Sequence, residues 1–313
     1  MTRAVVYTEF GGPEVLTLAE VETPEVRPAH LIVRVEAAGV NPIDAKLRAG
    51  TRASEPLERP RHVGRDGAGI VLEVGDDVQG FRVGDAIAFR ETSGTYASEV
   101  RVAAKNAIPR PPTVSAAEGA GIGIPVGTAY QVLRSLDVRA GDTLLLHAGS
   151  GAVGQAAIQY AVLWGATVIA TASERRFDRI RELGAIPVAY GPGLVERVRE
   201  AAPEGVTVAF DAAGTDEALE ASLQLVADRD RIGTIVRGAD AGGFGIRGFG
   251  GGSPDPLTET ELGWRADAMP VTMALLAAGA FSIEAGPTFT LAQAADAHRA
   301  IHDGVDGKIV LVP

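Results

Sequence analysis

The chain has 313 residues, of which 46% are hydrophobic, a formal net charge of -11 and no cysteine. That length allows two domains with sizeable cores, because single cores stop growing near about 250 to 300 residues. The acidic balance excludes nucleic acid and anionic membrane as partners, which need clustered Lys and Arg, and the absence of thiols excludes disulfides, cysteine nucleophiles and thiolate zinc sites.

The opening MTRAVVYTEFGG has no apolar run of signal-peptide length, and no stretch of about 18 apolar residues follows anywhere. A soluble, cytoplasmic protein is expected. From Met1 to about Pro112 Gly or Pro interrupts every few residues, with short β-rich runs such as LIVRVEAAGV, AGIVLEVG and AIAFR between them. This pattern predicts a compact, mostly β domain. The rhythm changes at PRPPTVS, Pro109 to Ser115, and strand, turn and helix then repeat. TLLLH is followed by AVGQAAIQYAVLWG, TVIATAS by RFDRIRELG, IPVAY by LVERVREAA and VTVAFDAAG by DEALEASLQLV, before RIGTIV closes the run. Continuous apolar strands alternating with amphipathic helices predict an α/β domain, a doubly wound parallel sheet covered on both faces. The glycine-rich AGGFGIRGFGGGSPDP reads equally as a loop without function or as one that closes over a ligand. The tail, LAQAADAHRAIHDG then GKIVLVP, reads as a helix and a strand that return to the first domain. The expected division is therefore 1–115 with 272–313, and 116–271.

Between the first strand and helix of the α/β half, Gly149, Ser150, Gly151, Ala152, Val153 and Gly154 match G-x-G-x-x-G. In that setting Gly149 permits the tight turn, Gly151 lets a pyrophosphate approach the backbone, and Gly154 allows the helix to pack closely on the strand. The diphosphate rests on the free amides at the helix start. A site for NAD usually places a carboxylate at the tip of the second strand, but this strand ends at Ser173, followed by Glu174, Arg175 and Arg176. A hydroxyl and guanidinium groups bind a 2'-phosphate, so NADPH is favoured over NADH. Glu174 pointing into the site would oppose that preference. The two arginines also read as a solvated first helical turn, and Tyr190, at the end of the third strand, reads as a cover for the phosphate or as packing.

With these residues in place, the chain resembles the zinc-independent quinone oxidoreductase branch of the medium-chain dehydrogenase/reductase superfamily over nearly its whole length. The likeness is carried by AAGVNPIDAKLRAG (Ala37 to Gly50), VGRDGAGIVLEVG (Val63 to Gly75), GTYASEV (Gly94 to Val100), GTAY (Gly127 to Tyr130), HAGSGAVGQAAIQYA (His147 to Ala161), LGA (Leu183 to Ala185) and the closing AHRAI and GKIVLVP. The resemblance implies a first domain of GroES-like β architecture completed by the C-terminal segment, a Rossmann domain, an active site in the cleft and a homodimer. It implies that Ser173, Arg175 and Tyr190 face the 2'-phosphate and that Thr128 lies near the nicotinamide. Asn41, Asp44 and Lys46 fall on the segment the family places at the cleft. Zinc-dependent relatives carry a cysteine and a G-H-E motif where this chain has Asp44 and Gly64-Arg65-Asp66, so no catalytic metal is expected. Of the five histidines, only His298 and His302 have a ligand-like spacing, and they read as helix surface.

Without metal, flavin or thiol, the available chemistry is hydride transfer from NADPH to an already activated acceptor, a quinone or an α,β-unsaturated carbonyl. Asn41 is expected to orient that ligand and Thr128 the nicotinamide, with water as the proton source. Asp44 reads equally as structural, in a turn after Asn-Pro, and Tyr96 and Tyr130 as proton donors or core. Three functions remain open: a quinone reductase, an enoyl or enone reductase of lipid or polyketide type, and a non-catalytic NADPH-binding redox sensor.

Overall fold

The computed structural model describes residues 1–51 and 56–313, and contacts divide the chain into two units, Met1–Ile124 with Met269–Pro313 and Pro125–Ala268. In the first unit β1 (Thr2–Tyr7) pairs antiparallel with β2 (Thr17–Val21). The long β3 (His30–Gly39) is the hub of a second sheet and leads into α1 (Pro42–Arg48), while β4 (Arg61–His62) adds to the free edge of β1. β5 (Asp66–Val74) runs antiparallel to β3 and passes through β6 (Ala86–Phe89) to the ladder's far side. β7 (Glu99–Ala103) also pairs with β3, and β8 (Ala107–Pro109) with β6.

The helix starts follow from local chemistry. α1 begins with Pro42 at its first position, and the Asp44 carboxylate accepts the Asn41 amide hydrogen bond at 2.9 Å. α2 (Ala116–Gly121) is capped reciprocally by Ser115 and Glu118. It packs on β3, β5 and β6, so the Pro109–Ser115 turn changes the secondary structure without leaving the first unit. Small residues make that contact possible: a Cβ on Gly119 would lie 3.1 Å from the Ala68 Cβ.

α3 (Ile124–Ser135) carries the chain into the second unit. There β9 (Thr143–His147), β10 (Thr167–Ala172), β11 (Ile186–Ala189), β12 (Val208–Asp211), β13 (Ile232–Thr234) and β14 (Arg247–Gly248) form one parallel sheet in the order β11-β10-β9-β12-β13-β14. α4 (Ala152–Leu163), α5 (Phe177–Glu182), α6 (Leu194–Ala201) and α7 (Asp216–Leu225) make the crossovers. This is the doubly wound, Rossmann-type sheet. Its strand order reverses at β9, which leaves a crevice beyond the ends of β9 and β12. Leu145, Ile169, Ala209 and Ile232 form its core with Val198 and Leu219 from the helices. Each such large aliphatic side chain stabilises by about 1.5–3 kcal/mol when fully buried.

The glycine-rich stretch is more than the loop its composition suggests. Ala241–Phe244 forms the short helix α8, and Arg247–Gly248 is the edge strand of the sheet. A Cβ on Gly238 would fall 1.6 Å from the Gly250 carbonyl oxygen, so glycine serves close backbone packing there. α9 (Glu259–Ala277), with Pro270 inside it, returns the chain to the first unit. β15 (Ala285–Thr290), α10 (Ala294–His302) and β16 (Lys308–Val312) follow, with β16 lying between β15 and β3. Among the described residues no helix is long and apolar enough to cross a membrane.

Candidate functional site

At the end of β9 the chain turns on Ala148, whose φ of 58° lies in the left-handed region. That conformation costs a non-glycine residue about 1 kcal/mol or more. The Ala148 amide donates to Thr171 Oγ1 (3.2 Å) and the Gly149 amide to the Thr171 carbonyl (2.9 Å), tying the turn to β10. The reading of Gly149 as the turn-permitting residue is thus corrected. Ala148 takes the unusual φ, and Gly149 is required because a Cβ would meet the Ala170 Cβ at 2.7 Å. At Gly154 a Cβ would fall 2.3 Å from the Ala148 carbonyl oxygen. Gly151 differs: the nearest heavy atom to its Cβ position is the Ala148 oxygen, at 3.6 Å. Gly151 caps α4 without a side-chain acceptor, and Ala152, Val153 and Gly154 form the helix's first turn.

Beyond this turn lies a pocket of about 350 Å³, whose lining includes Ser150, Ser173, Arg175 and Tyr190. Four of the residues expected to hold a dinucleotide therefore come together. Arg176 is buried in the turn after β10 and does not line the pocket, and Glu174 is exposed outside it. Glu217 was not anticipated in the lining; its carboxylate accepts the Gly191 amide at 2.9 Å. His147 lies at the pocket's base, its Nε2 3.1 Å from Ser222 Oγ. Burial lowers its pKa to about 4 against the pull of Asp211 and Glu217, so the ring is neutral near pH 7. Beside His147, buried Asp211 ends β12: its carboxylate accepts the amides of Ala213 and Gly214 and the Thr234 hydroxyl, at 2.7–2.9 Å.

The first unit holds a second group of polar residues, all buried. Asn41 Nδ2 donates to Asp66 Oδ2 at 2.9 Å, and Lys308 Nζ donates to Asn41 Oδ1 at 2.6 Å and to the Val40 carbonyl at 2.7 Å. Asp66 Oδ2 also accepts the Ile124 amide at 2.8 Å. Tyr96 donates its hydroxyl to Asp44 Oδ2 at 3.2 Å. Asn41 and Asp44 are thus joined, but the Asn41 amide spends both its polar atoms on protein partners. Burial raises the Asp44 pKa to about 7, with Asp66 adding to the rise and Lys308 opposing it. Burial likewise pushes Asp66 up and Lys308 down. Asp44 also lines a pocket of about 210 Å³ with Arg61, His62, Arg65 and Ser93.

Thr128 is buried on α3 in the other unit. Tyr130 packs edge-on against Tyr160 and Trp164 at 5.2 and 5.4 Å, which is core geometry. Lys46 is exposed on α1. His298, read as helix surface, is only 2% exposed because α10 turns that face onto Tyr96. Among the described residues no group of three or more metal-ligating side chains is found.

Two family profiles match, an alcohol dehydrogenase GroES-like domain over residues 27–132 and a zinc-binding dehydrogenase domain over 152–242. The chain is similar to the human quinone oxidoreductase, 38% identical over 183 residues that cover 58% of this chain and 55% of that protein. It is similar to an Arabidopsis thaliana chloroplastic NADPH-dependent alkenal/one oxidoreductase, 32% identical over 225 residues, 68% of this chain and 57% of that protein. The chain thus spans little more than half the length of these curated relatives. A solved quinone oxidoreductase of Pseudomonas syringae pv. Tomato DC3000 superposes with a TM-score of 0.86 at 26% identity, covering all of both chains. Fold, glycine geometry and likeness agree, and the chain belongs to the zinc-independent quinone oxidoreductase branch of the medium-chain dehydrogenase/reductase superfamily.

Proposed function

We propose that the chain is an NADPH-dependent reductase of a quinone. One observation carries this reading: in a turn where Gly149 and Gly154 are crowded by the protein itself, Gly151 is exposed with its Cβ position clear of protein to 3.6 Å, which leaves its backbone open to a diphosphate. Its chain neighbour Ser150 lines a pocket with Ser173, Arg175 and Tyr190 in its walls. The first-turn amides of α4 would take the diphosphate, and Ser173 and Arg175 the 2'-phosphate, with Tyr190 beside them. NADPH supplies a hydride when bound.

Reduction of a quinone also consumes protons. Asp44, protonated up to about pH 7 and lining a cavity in the first unit, is the group that would supply one in place of bulk water. Asn41 would act as a positioning residue that holds Asp66 and Lys308 together, and Thr128 would orient the nicotinamide. A second reading, reduction of an enone, is favoured by the likeness to the alkenal/one oxidoreductase over 68% of this chain.

Following NADPH oxidation with a panel of quinones and enones tests these readings. Turnover with quinones alone supports the first, and turnover with enones alone supports the second. Saturable binding without oxidation supports a redox sensor. NADH binding more tightly than NADPH overturns the cofactor assignment.

A further inference from the structure

A cavity of about 750 Å³ opens in the first unit beside α1, α10 and the turn Pro13–Val15. Its lining includes Lys46, Arg48, His298, Arg299 and His302, with Asp303 as the acidic side chain among them. Such a concentration of basic groups runs against a chain whose net charge is -11. Basic residues in the last turn of a helix complement its dipole, which accounts for exposed Lys46 and His302 and for Arg299, paired with Asp296. It does not account for Arg48 and His298, which are 6% and 2% exposed.

Arg48 Nε and Nη1 are buried with no hydrogen-bond partner among the described residues, and Nη2 only approaches the Ala45 carbonyl at 3.5 Å. His298 Nδ1 is likewise buried without a partner, while its Nε2 lies 3.4 Å from the Tyr96 hydroxyl. Glu14 favours the charge of Arg48 from a distance but makes no ion pair with it among the described residues. Buried donors are normally satisfied, and an unpaired buried guanidinium is costly. Two such groups line one cavity: Arg48 lacks an acceptor, His298 Nδ1 lacks one as well once its ring is protonated, and a negatively charged acceptor would meet both.

We propose that this cavity binds a small oxyanion, the carboxylate or phosphate group of a low-molecular-weight ligand, on Arg48 and His298, with Lys46 at its rim. His298 is held near a pKa of about 4 by burial and by Arg48. Tyr96 and, behind it, Asp44 also face it; Lys46 on α1 and Arg299, His302 and Asp303 along its own helix and just beyond share its cavity; and Glu14 in the turn acts on its neighbour Arg48. An anion placed among them favours the imidazolium, so binding strengthens as the pH falls through the raised pKa of the bound state towards about 4, the value of the empty site.

The test uses the full chain at pH 5, 6 and 7 and low, constant ionic strength, titrated separately at each pH with sodium phosphate and sodium succinate. Binding is followed by calorimetry and by the imidazole ¹H–¹⁵N resonances, with the His298 signals assigned through their loss in His298→Asn. The expected result is saturable binding of at least one anion, a shift of the His298 signals with a pKa raised by about one unit or more, and affinity weakened by about tenfold or more in Arg48→Gln. Response to phosphate alone or succinate alone identifies the head group. The proposal is overturned if neither anion moves the His298 signals, if Arg48→Gln binds as tightly as the parent, or if the only signals that move are those of His147, which report the nucleotide pocket. Should Arg48→Gln not fold, the His298 shift in the parent chain decides the question alone.

Discussion

At the scale of single residues, three glycines of one motif stand at three different distances from what a side chain would meet. Gly154→Ala drives a Cβ to 2.3 Å from a backbone oxygen that cannot move aside, and is expected to destabilise by about 1–3 kcal/mol. Gly151→Ala meets nothing closer than 3.6 Å and should leave the melting temperature unchanged while weakening NADPH binding by about tenfold or more. Calorimetry and NADPH titration of the two variants check this, and equal loss of binding without loss of stability in both would refute the distinction. Asp44 offers a pH signature. Its pKa, raised by burial from 3.8 to about 7, lets the folded state hold a proton that the unfolded chain releases above about pH 4. Its contribution is therefore fully present below that pH and is lost as the pH rises through about 7. Asp44→Asn keeps the volume and removes the ionisation, so its melting temperature relative to the parent should climb from pH 5 to pH 8. As the proposed proton donor, Asp44 should also make parental turnover fall above about pH 7, a limb that the variant lacks.

Among the elements, β9 and the glycine-rich stretch are the instructive cases. His147 ends β9 buried and neutral, with a pKa lowered to about 4 by that burial. Stability from this group is complete above about pH 6.5 and is lost as the pH falls towards 4. Both tryptophans, Trp164 and Trp264, belong to the second unit, so their emission follows its unfolding. His147→Gln should flatten the fall in that unit's stability between pH 6.5 and pH 4, relative to the parent. The stretch after Arg237 was legible in sequence only as glycine and turn residues. Its strand, Arg247–Gly248, is too short to show periodicity, and Gly248 and Gly251 are set by contacts with Gly238 and Val236 that local pattern does not contain. The Phe249 amide donates to the Thr234 carbonyl at 2.9 Å, so it should resist hydrogen exchange with or without NADPH. Rapid exchange that slows only when NADPH is added would instead mark a closing loop.

For the whole molecule, the first unit depends on the chain's last strand. β16 lies between β15 and β3 and brings Lys308 to Asn41, a contact across 267 positions. Deleting residues 308–313 should abolish the cooperative unfolding of the first unit while the tryptophan emission of the second stays native; loss of both together would show that the second unit does not stand alone. The alternation of strand and helix, the G-x-G-x-x-G turn and the neutral and basic residues after the second strand are all legible in the linear order of residues. Each of these is written within about 30 residues, where periodicity and turn chemistry act. Three features emerge with the folded chain alone: Ala148 takes the turn's left-handed φ, Asn41 is consumed by Asp66 and Lys308, and Arg48 and His298 share a cavity. An alanine in a glycine turn carries no signal of a left-handed φ, and the others were single charged or polar residues whose partners depended on chain folded back from far away. Charge and hydrogen bonding act over a few ångströms of space, and sequence separation carries no measure of that distance.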